Sequence, residues 1–216
     1  MVRKVAVSSF LGNFIEWFDY ASYSYFATTI ALVFFPTDNH TVAMLQTFGV
    51  FALSFILRPI GALFWGSYGD KKGRKAALAH SIMFMSGASF LIGCLPSYSV
   101  IGVGAPILLL LLRMVQGFSA SGEYAGAATF LGEYAPTSKR GIYCSLIPAS
   151  TAIGLLAGST LATLMTANMN SSAMVGWGWR VPFLLAGPLG LIVLYIRTKL
   201  SDSPVYQSMN DALESK

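Results

Sequence analysis

The chain has 216 residues, 55% hydrophobic and only 11% charged, with a net charge of +5 and a mean hydropathy of +0.62. Soluble domains carry roughly 25% charged residues, and so short a chain has too little interior to hide this much apolar surface, which excludes a water-soluble domain. Nucleic-acid binding is excluded as well, because the basic residues stand in short clusters at the ends of apolar runs and no nucleic-acid-binding motif accompanies them.

The N-terminus begins Met1-Val2-Arg3-Lys4, like the basic start of a signal peptide. The apolar segment behind it is interrupted by Glu16 and Asp19 and has no small-residue cleavage site, so it is expected to be retained as a first span. Crossing a bilayer takes about 20 mostly apolar residues. That ruler predicts six spans, at roughly 8–34, 43–66, 76–96, 105–131, 142–167 and 179–197. They form a bundle over 1–199, with the polar stretch 200–216 as a tail or the start of a linker. Connections 35–42 and 97–104 lack Lys and Arg, and 168–178 is rich in Asn, Ser and Gly. Arg3, Lys4, Lys71, Lys72, Arg74, Lys75, Lys139, Arg140, Arg197, Lys199 and Lys216 all fall on one side of this even-numbered topology. The expected orientation therefore places both termini in the cytoplasm.

The densest charge cluster, Gly66-Ser67-Tyr68-Gly69-Asp70-Lys71-Lys72-Gly73-Arg74-Lys75, reads as a short rigid turn between the second and third spans. Gly66, Gly69 and Gly73 suit a tight turn with close helix approach, and Asp70 suits a helix N-terminus.

An ionisable residue inside a span is a functional-site candidate, because it costs some 2.5–3.5 kcal/mol to insert. Glu16 and Asp19 lie in the first span, Arg58 in the second, and Arg113 and Glu123 in the fourth. The third and sixth carry none at depth and are expected to face lipid. Gly12, Glu16, Asp19, Tyr20 and Tyr23 recur at three- and four-residue steps as one polar stripe, and Arg113, Gln116, Ala120, Glu123 and Ala127 form a second. At 1.5 Å per residue, Glu16 and Arg58 each lie ~13 Å from the cytoplasmic ends of antiparallel spans, a structural ion pair by matched depth. Asp19 and Glu123 have no obvious partner at equal depth and are candidate proton carriers. Arg113 lies nearer the outer end, where a fixed cation suits an anionic substrate group. Pro59 predicts a bend in the second span, and Gly154 with Gly158 predicts close helix packing in the fifth.

His40, His80, Cys94 and Cys144 form no metal-binding or disulfide pattern. An intramembrane protease is disfavoured, since Ser119-Ala120-Ser121-Gly122 misses the first glycine of a Gly-x-Ser-Gly pattern and no histidine stands deep enough to act as base.

The 66–75 stretch resembles the loop between the second and third helices of major facilitator superfamily transporters. Gly12-Asn13-Phe14-Ile15-Glu16-Trp17-Phe18-Asp19-Tyr20 is similar to the first-helix signature of the metabolite:proton symporters within that superfamily. Arg58-Pro59-Ile60-Gly61, Gln116-Gly117-Phe118-Ser119, Gly122-Glu123-Tyr124 and Gly178-Trp179-Arg180-Val181-Pro182-Phe183 fit the same family. Glu133-Tyr134-Ala135-Pro136 with Arg140-Gly141 resembles the second cytoplasmic loop. The closest look is to osmoprotectant porters for proline and glycine betaine.

The resemblance implies an all-α integral membrane protein, a six-transmembrane-helix bundle forming the N-terminal half of a major facilitator fold built from two three-helix inverted repeats. It implies secondary transport of a small polar metabolite, an osmoprotectant or an organic acid, by proton symport and alternating access in a bacterial inner membrane. In this reading Asp19, Glu123 and Glu16 handle the proton or a cationic group, and Arg113 holds a carboxylate. Tyr20, Tyr23, Tyr124 and Gln116 line the path, while Gly66, Gly69, Asp70, Lys71, Gly73, Arg74 and Lys75 form a conformational latch. No cofactor is implied beyond the proton. Gly154-Leu155-Leu156-Ala157-Gly158 is followed by Ser159 rather than the proline of antiporters, which favours symport. Such transporters enclose their substrate between two six-helix halves, so the expected partners are the lipid bilayer, a small solute, and a C-terminal half or a second copy. The alternative is a truncated, non-transporting or regulatory half.

Overall fold

A computed structural model describes residues 2–201 and residue 208. The helices are α1 (Val2–Tyr25), α2 (Ala27–Phe34), α3 (His40–Ile56), α4 (Arg58–Lys72), α5 (Arg74–Cys94) and α6 (Tyr98–Ile101). They continue with α7 (Gly104–Ala120), α8 (Glu123–Tyr134), α9 (Arg140–Cys144), α10 (Leu146–Asn168), α11 (Ser171–Gly176) and α12 (Val181–Thr198). Single 3₁₀ turns cover Thr137–Lys139 and Gly178–Arg180, and no strand occurs among the described residues.

Five stretches are long and apolar enough to cross a membrane: His40–Lys72, Arg74–Cys94, Gly104–Tyr134, Thr137–Asn168 and Gly178–Thr198. The first stretch, α1 with α2, is more polar, carrying Ser8, Ser9, Asn13, Glu16, Asp19 and Ser22, all buried. It is enclosed by α8, α10 and α12, so protein rather than lipid meets its polar face. Gly154 and Gly158 let α10 approach α1: a Cβ at Gly154 would sit 2.8 Å from the Phe14 carbonyl oxygen, and one at Gly158 2.6 Å from Ala21 Cβ.

The packing has an internal symmetry. α1 lies on α10 as α7 lies on α3, α1 touches α12 as α7 touches α5, and α5 pairs with α12. Exchanging the first three stretches for the last three maps these contacts onto themselves, the signature of two three-helix repeats.

Two expectations are corrected here. The third and sixth stretches do not simply face lipid. α5 is the most enclosed of the five spanning stretches, and α12 buries Arg197. An uncharged span need not face lipid, because small residues such as Ser and Gly let two helices approach closely: Gly190 and Gly187 of α12 lie on Ser86 and Phe90 of α5. The 66–75 stretch, in turn, is not a loop. α4 continues to Lys72 and α5 starts at Arg74, so the turn is Gly73 alone, at φ 96°. Gly66 faces open space rather than a neighbouring helix, and only Gly69 meets one, through Ala77. Asp70 lies in the last turn of α4, not at a helix N-terminus.

The second stretch breaks at Leu57, where Pro59 cannot donate to the Phe55 carbonyl and the Leu57 N–H turns to it instead. The fourth breaks at Ser121–Gly122, immediately before Glu123. Arg180 caps the far end of α5 by donating to the carbonyls of Gly93 (2.8 Å) and Leu95. Leu200 is buried, and Ser201 accepts a 2.9 Å bond from the Tyr134 hydroxyl. Apart from Leu200, Ser201 and Ser208, the tail expected over 200–216 lies outside the described residues.

Candidate functional site

Three ion pairs organise the interior. At the α1–α7 interface, Arg113 Nη1 donates to Asp19 Oδ2 at 2.8 Å, with both side chains almost wholly buried. Gln116 Nε2 donates to Asp19 Oδ1 at 3.1 Å and also reaches Ser89 of α5. The Arg113 guanidinium lies 3.8 Å from the Tyr23 ring centre and 5.6 Å from that of Phe183. Its Nε and Nη2 have no hydrogen-bond partner, so the rings hold that side of the cation.

The second pair joins Glu123 at the start of α8 to Arg197 near the end of α12. The fork is bidentate, with Arg197 Nη1 2.9 Å from Glu123 Oε2 and Nη2 on Oε1. Ser81 donates to Oε2 at 3.3 Å, and Arg197 also donates to Ser8 Oγ (3.2 Å) and the Leu78 carbonyl. The pair therefore ties together α1, α5, α8 and α12.

In the third pair, Arg58 Nη2 lies 2.8 Å from Glu16 Oε1 and also donates to the Tyr20 hydroxyl. Glu16 is buried, with Oε2 unpartnered, whereas the Arg58 side chain is 28% exposed. Arg58 stacks 4.5 Å from the Phe55 ring centre and 5.0 Å from that of Tyr20.

Two adjoining cavities open beside this third pair, of about 570 and 380 Å³. Glu16, Arg58, Ser121 and Tyr124 line the first, Tyr20, Phe51 and Tyr25 line the second, and both share Trp17 and Phe55. Another cavity of about 600 Å³, between α4, α5 and α7, is lined by Leu, Met and aromatic side chains, with Tyr68 and His80 hydrogen-bonded at 3.3 Å. That lining suits lipid chains rather than a polar solute.

The structure thus corrects three assignments. Asp19 and Glu123 are not unpaired, and Arg113 is not an open anion holder. Tyr23 is wholly buried, its hydroxyl donating to the Thr47 carbonyl at 3.0 Å, so it lines no open path. Uncertainty of about four residues in a span boundary moves an inferred depth by ~6 Å, enough to separate true partners on paper. Arg197 reads from the sequence only as an orientation signal, because it falls at a span end, and its burial is decided by the packing. Asn13 was missed as well: its Nδ2 lies 3.0 Å from the Ile147 carbonyl and 2.8 Å from Ser150 Oγ, fastening α1 to α10. At the basic end of the bundle, Arg74 bridges Asp70 (3.2 Å) and Glu133 (3.8 Å), joining α4, α5 and α8. Arg140, Lys71 and Lys75 lie at that same end, with Arg140 and Lys71 exposed.

A sequence profile described as "Sugar (and other) transporter" matches residues 4–216. The chain belongs to this family. It is 43% identical over 213 residues to a proline/betaine transporter of Salmonella typhimurium, covering 99% of this chain and 43% of that protein. It is likewise 43% identical to the glycine betaine/proline/ectoine/pipecolic acid transporter OusA of Dickeya dadantii, covering 99% of this chain and 42% of that protein. The chain therefore spans less than half the length of these relatives. In fold it is similar to a partially occluded inward-open structure of the xylose transporter XylE from E. coli, with TM-score 0.84 at 19% identity. That match covers 97% of this chain and 50% of XylE. This family member is a membrane protein with the fold of an N-terminal major facilitator half.

Proposed function

We propose that the chain is one half of a proton-coupled secondary transporter for a small polar solute, an osmoprotectant or an organic acid, in a bacterial inner membrane with both termini cytoplasmic. The observation that carries this reading is the buried Asp19–Arg113 pair between α1 and α7. Asp19 is the chosen proton site. Protonation would remove the carboxylate charge that holds Arg113, leaving a buried guanidinium without its counter-ion and so favouring a state in which α1 and α7 shift and Arg113 reaches water or another anion. Glu123 is assigned instead to holding the bundle together through Arg197. The Asp70–Arg74–Glu133 cluster acts as the latch at the cytoplasmic end, and the proton is the coupling ion. The names of the relatives support a solute of the proline or betaine kind.

The test uses proteoliposomes in which this chain is joined to a C-terminal six-helix half. Asp19→Asn should abolish accumulation driven by a pH gradient while solute exchange without a gradient persists. Wild-type accumulation in that variant would refute the proton role. The chain's coverage of only 43% of its relative also favours a second reading, a half that does not transport by itself. Solute uptake by the 216-residue chain alone would dismiss it.

A further inference from the structure

The cavity of about 600 Å³ between α4, α5 and α7 lies outside the bundle interior. Leu111, Val115 and Ser119 form one row of its wall at four-residue steps, whereas Arg113 on the same helix turns the other way, to Asp19 of α1. No Asp, Glu, Lys or Arg lines it. On the α4 side it runs from Leu57 to Tyr68, ~16 Å at the helical rise. That matches the ~15 Å depth of one leaflet of the hydrocarbon core. Its polar groups stand toward one end, in a fixed order. At the mouth the Tyr68 hydroxyl and His80 Nδ1 lie 3.3 Å apart. Lys71 and Lys72 follow Tyr68 by three and four residues on the same face of α4, and both are exposed. Asp70 and Glu133, the carboxylates at that end among the described residues, are both turned to Arg74. Ser119 stands deeper. The neighbouring Phe118 carbonyl accepts from the Trp65 indole at 3.1 Å, which sets Ser119 about one turn, ~5 Å, further in than Tyr68. Ser119 is 1% exposed, and its hydroxyl has no hydrogen-bond partner. A buried donor left alone in an apolar wall calls for an acceptor from outside the protein.

We propose that this cavity binds one anionic glycerophospholipid of the leaflet at the basic end of the bundle. Its phosphate sits at the mouth, against Lys72, Tyr68 and His80. One ester carbonyl accepts from Ser119, and the acyl chain beyond it runs along Phe118, Met114 and Leu111 toward mid-membrane. The order of head, ester and chain thus follows the order of charge, lone donor and apolar wall. A polar solute would leave the apolar wall unmatched, and a plain hydrocarbon would leave Ser119 without an acceptor. A net-negative head is favoured over a zwitterionic one, because an ammonium would face Lys71 and Lys72 with both nearby carboxylates held by Arg74. Bound there, the lipid fastens the two helices that meet at Gly73 to α7. The site depends on the membrane-spanning fold alone and holds whether or not the chain transports.

Native mass spectrometry tests this on the chain joined to a C-terminal six-helix half, stripped of lipid in detergent and titrated with phosphatidylglycerol or phosphatidylethanolamine. One phosphatidylglycerol should bind more tightly than any phosphatidylethanolamine. Lys72→Gln with His80→Gln, both at exposed positions, should weaken that adduct roughly fivefold or more and bring it to the phosphatidylethanolamine level. Val115→Trp, at a position 42% exposed, should remove the tight adduct by filling the groove. Ser119→Ala should lower ester-linked phosphatidylglycerol to the affinity of its ether-linked analogue, which lacks the carbonyl, and leave the ether lipid unchanged. Equal binding of the two headgroups by the wild type, or a tight adduct that survives Val115→Trp, would mean a surface wetted by bulk lipid and would overturn the proposal. Ser119→Ala that leaves the ester lipid untouched, or weakens ester and ether lipids alike, would overturn it as well.

Discussion

Arg197 closes on Glu123 in the space that Gly12 leaves open on α1: a Cβ at Gly12 would collide with Glu123 Oε1 and Arg197 Nη2. Neither atom can retreat, because the fork also holds Ser8 and Leu78. Gly12→Ala should therefore destabilise the bundle by about 1–3 kcal/mol. Gly66→Ala should do the opposite, gaining up to about 1 kcal/mol, because Gly66 is helical with nothing within 4 Å of its would-be Cβ. Thermal unfolding in detergent reads both signs.

The Glu123–Arg197 pair should show strong coupling. Glu123→Gln alone leaves a buried guanidinium without its counter-ion and should cost about 3–5 kcal/mol. Glu123→Gln combined with Arg197→Met should cost less than the sum of the single changes. A double-mutant cycle on unfolding free energies checks this, and additive values would show that the two charges act independently.

Asn13 is the polar fastener of the first and fifth stretches. Asn13→Ala leaves Ile147 without that donor and should cost about 1–3 kcal/mol. Limited proteolysis should then cut first in the connections flanking α10, and wild-type resistance would contradict the role.

At the turn between α4 and α5, backbone geometry should outweigh charge. Gly73→Ala places a Cβ on a residue at φ 96° and should cost about 1–2 kcal/mol. Asp70→Asn should cost no more than about 0.5 kcal/mol and less in high salt, because Asp70 is 67% exposed. Unfolding at two salt concentrations orders the two variants.

The membrane class, the helical stretches, the side-by-side polar stripes and the family resemblance were all legible in the residues, because each rests on local pattern: composition, length and three-to-four-residue spacing. The Glu16–Arg58 contact was legible too, since two antiparallel spans place both residues about 13 Å from the same membrane face. The choice of partners for Asp19, Arg113, Glu123 and Arg197 was not. Each of the four sits on a different helical segment, and pairing depends on helix rotation and on boundaries that sequence places only to within about four residues. The 66–75 stretch shows the same division. Its charge density marks the end of two spans, but hydrogen bonding carries α4 through Lys72, and a single positive-φ glycine makes the turn. What a residue is and roughly how deep it lies are local properties that sequence alone determined here. Which carboxylate a guanidinium meets is decided only when the helices pack, because a fully buried charge must find its counter-ion across helices wherever the packing puts one.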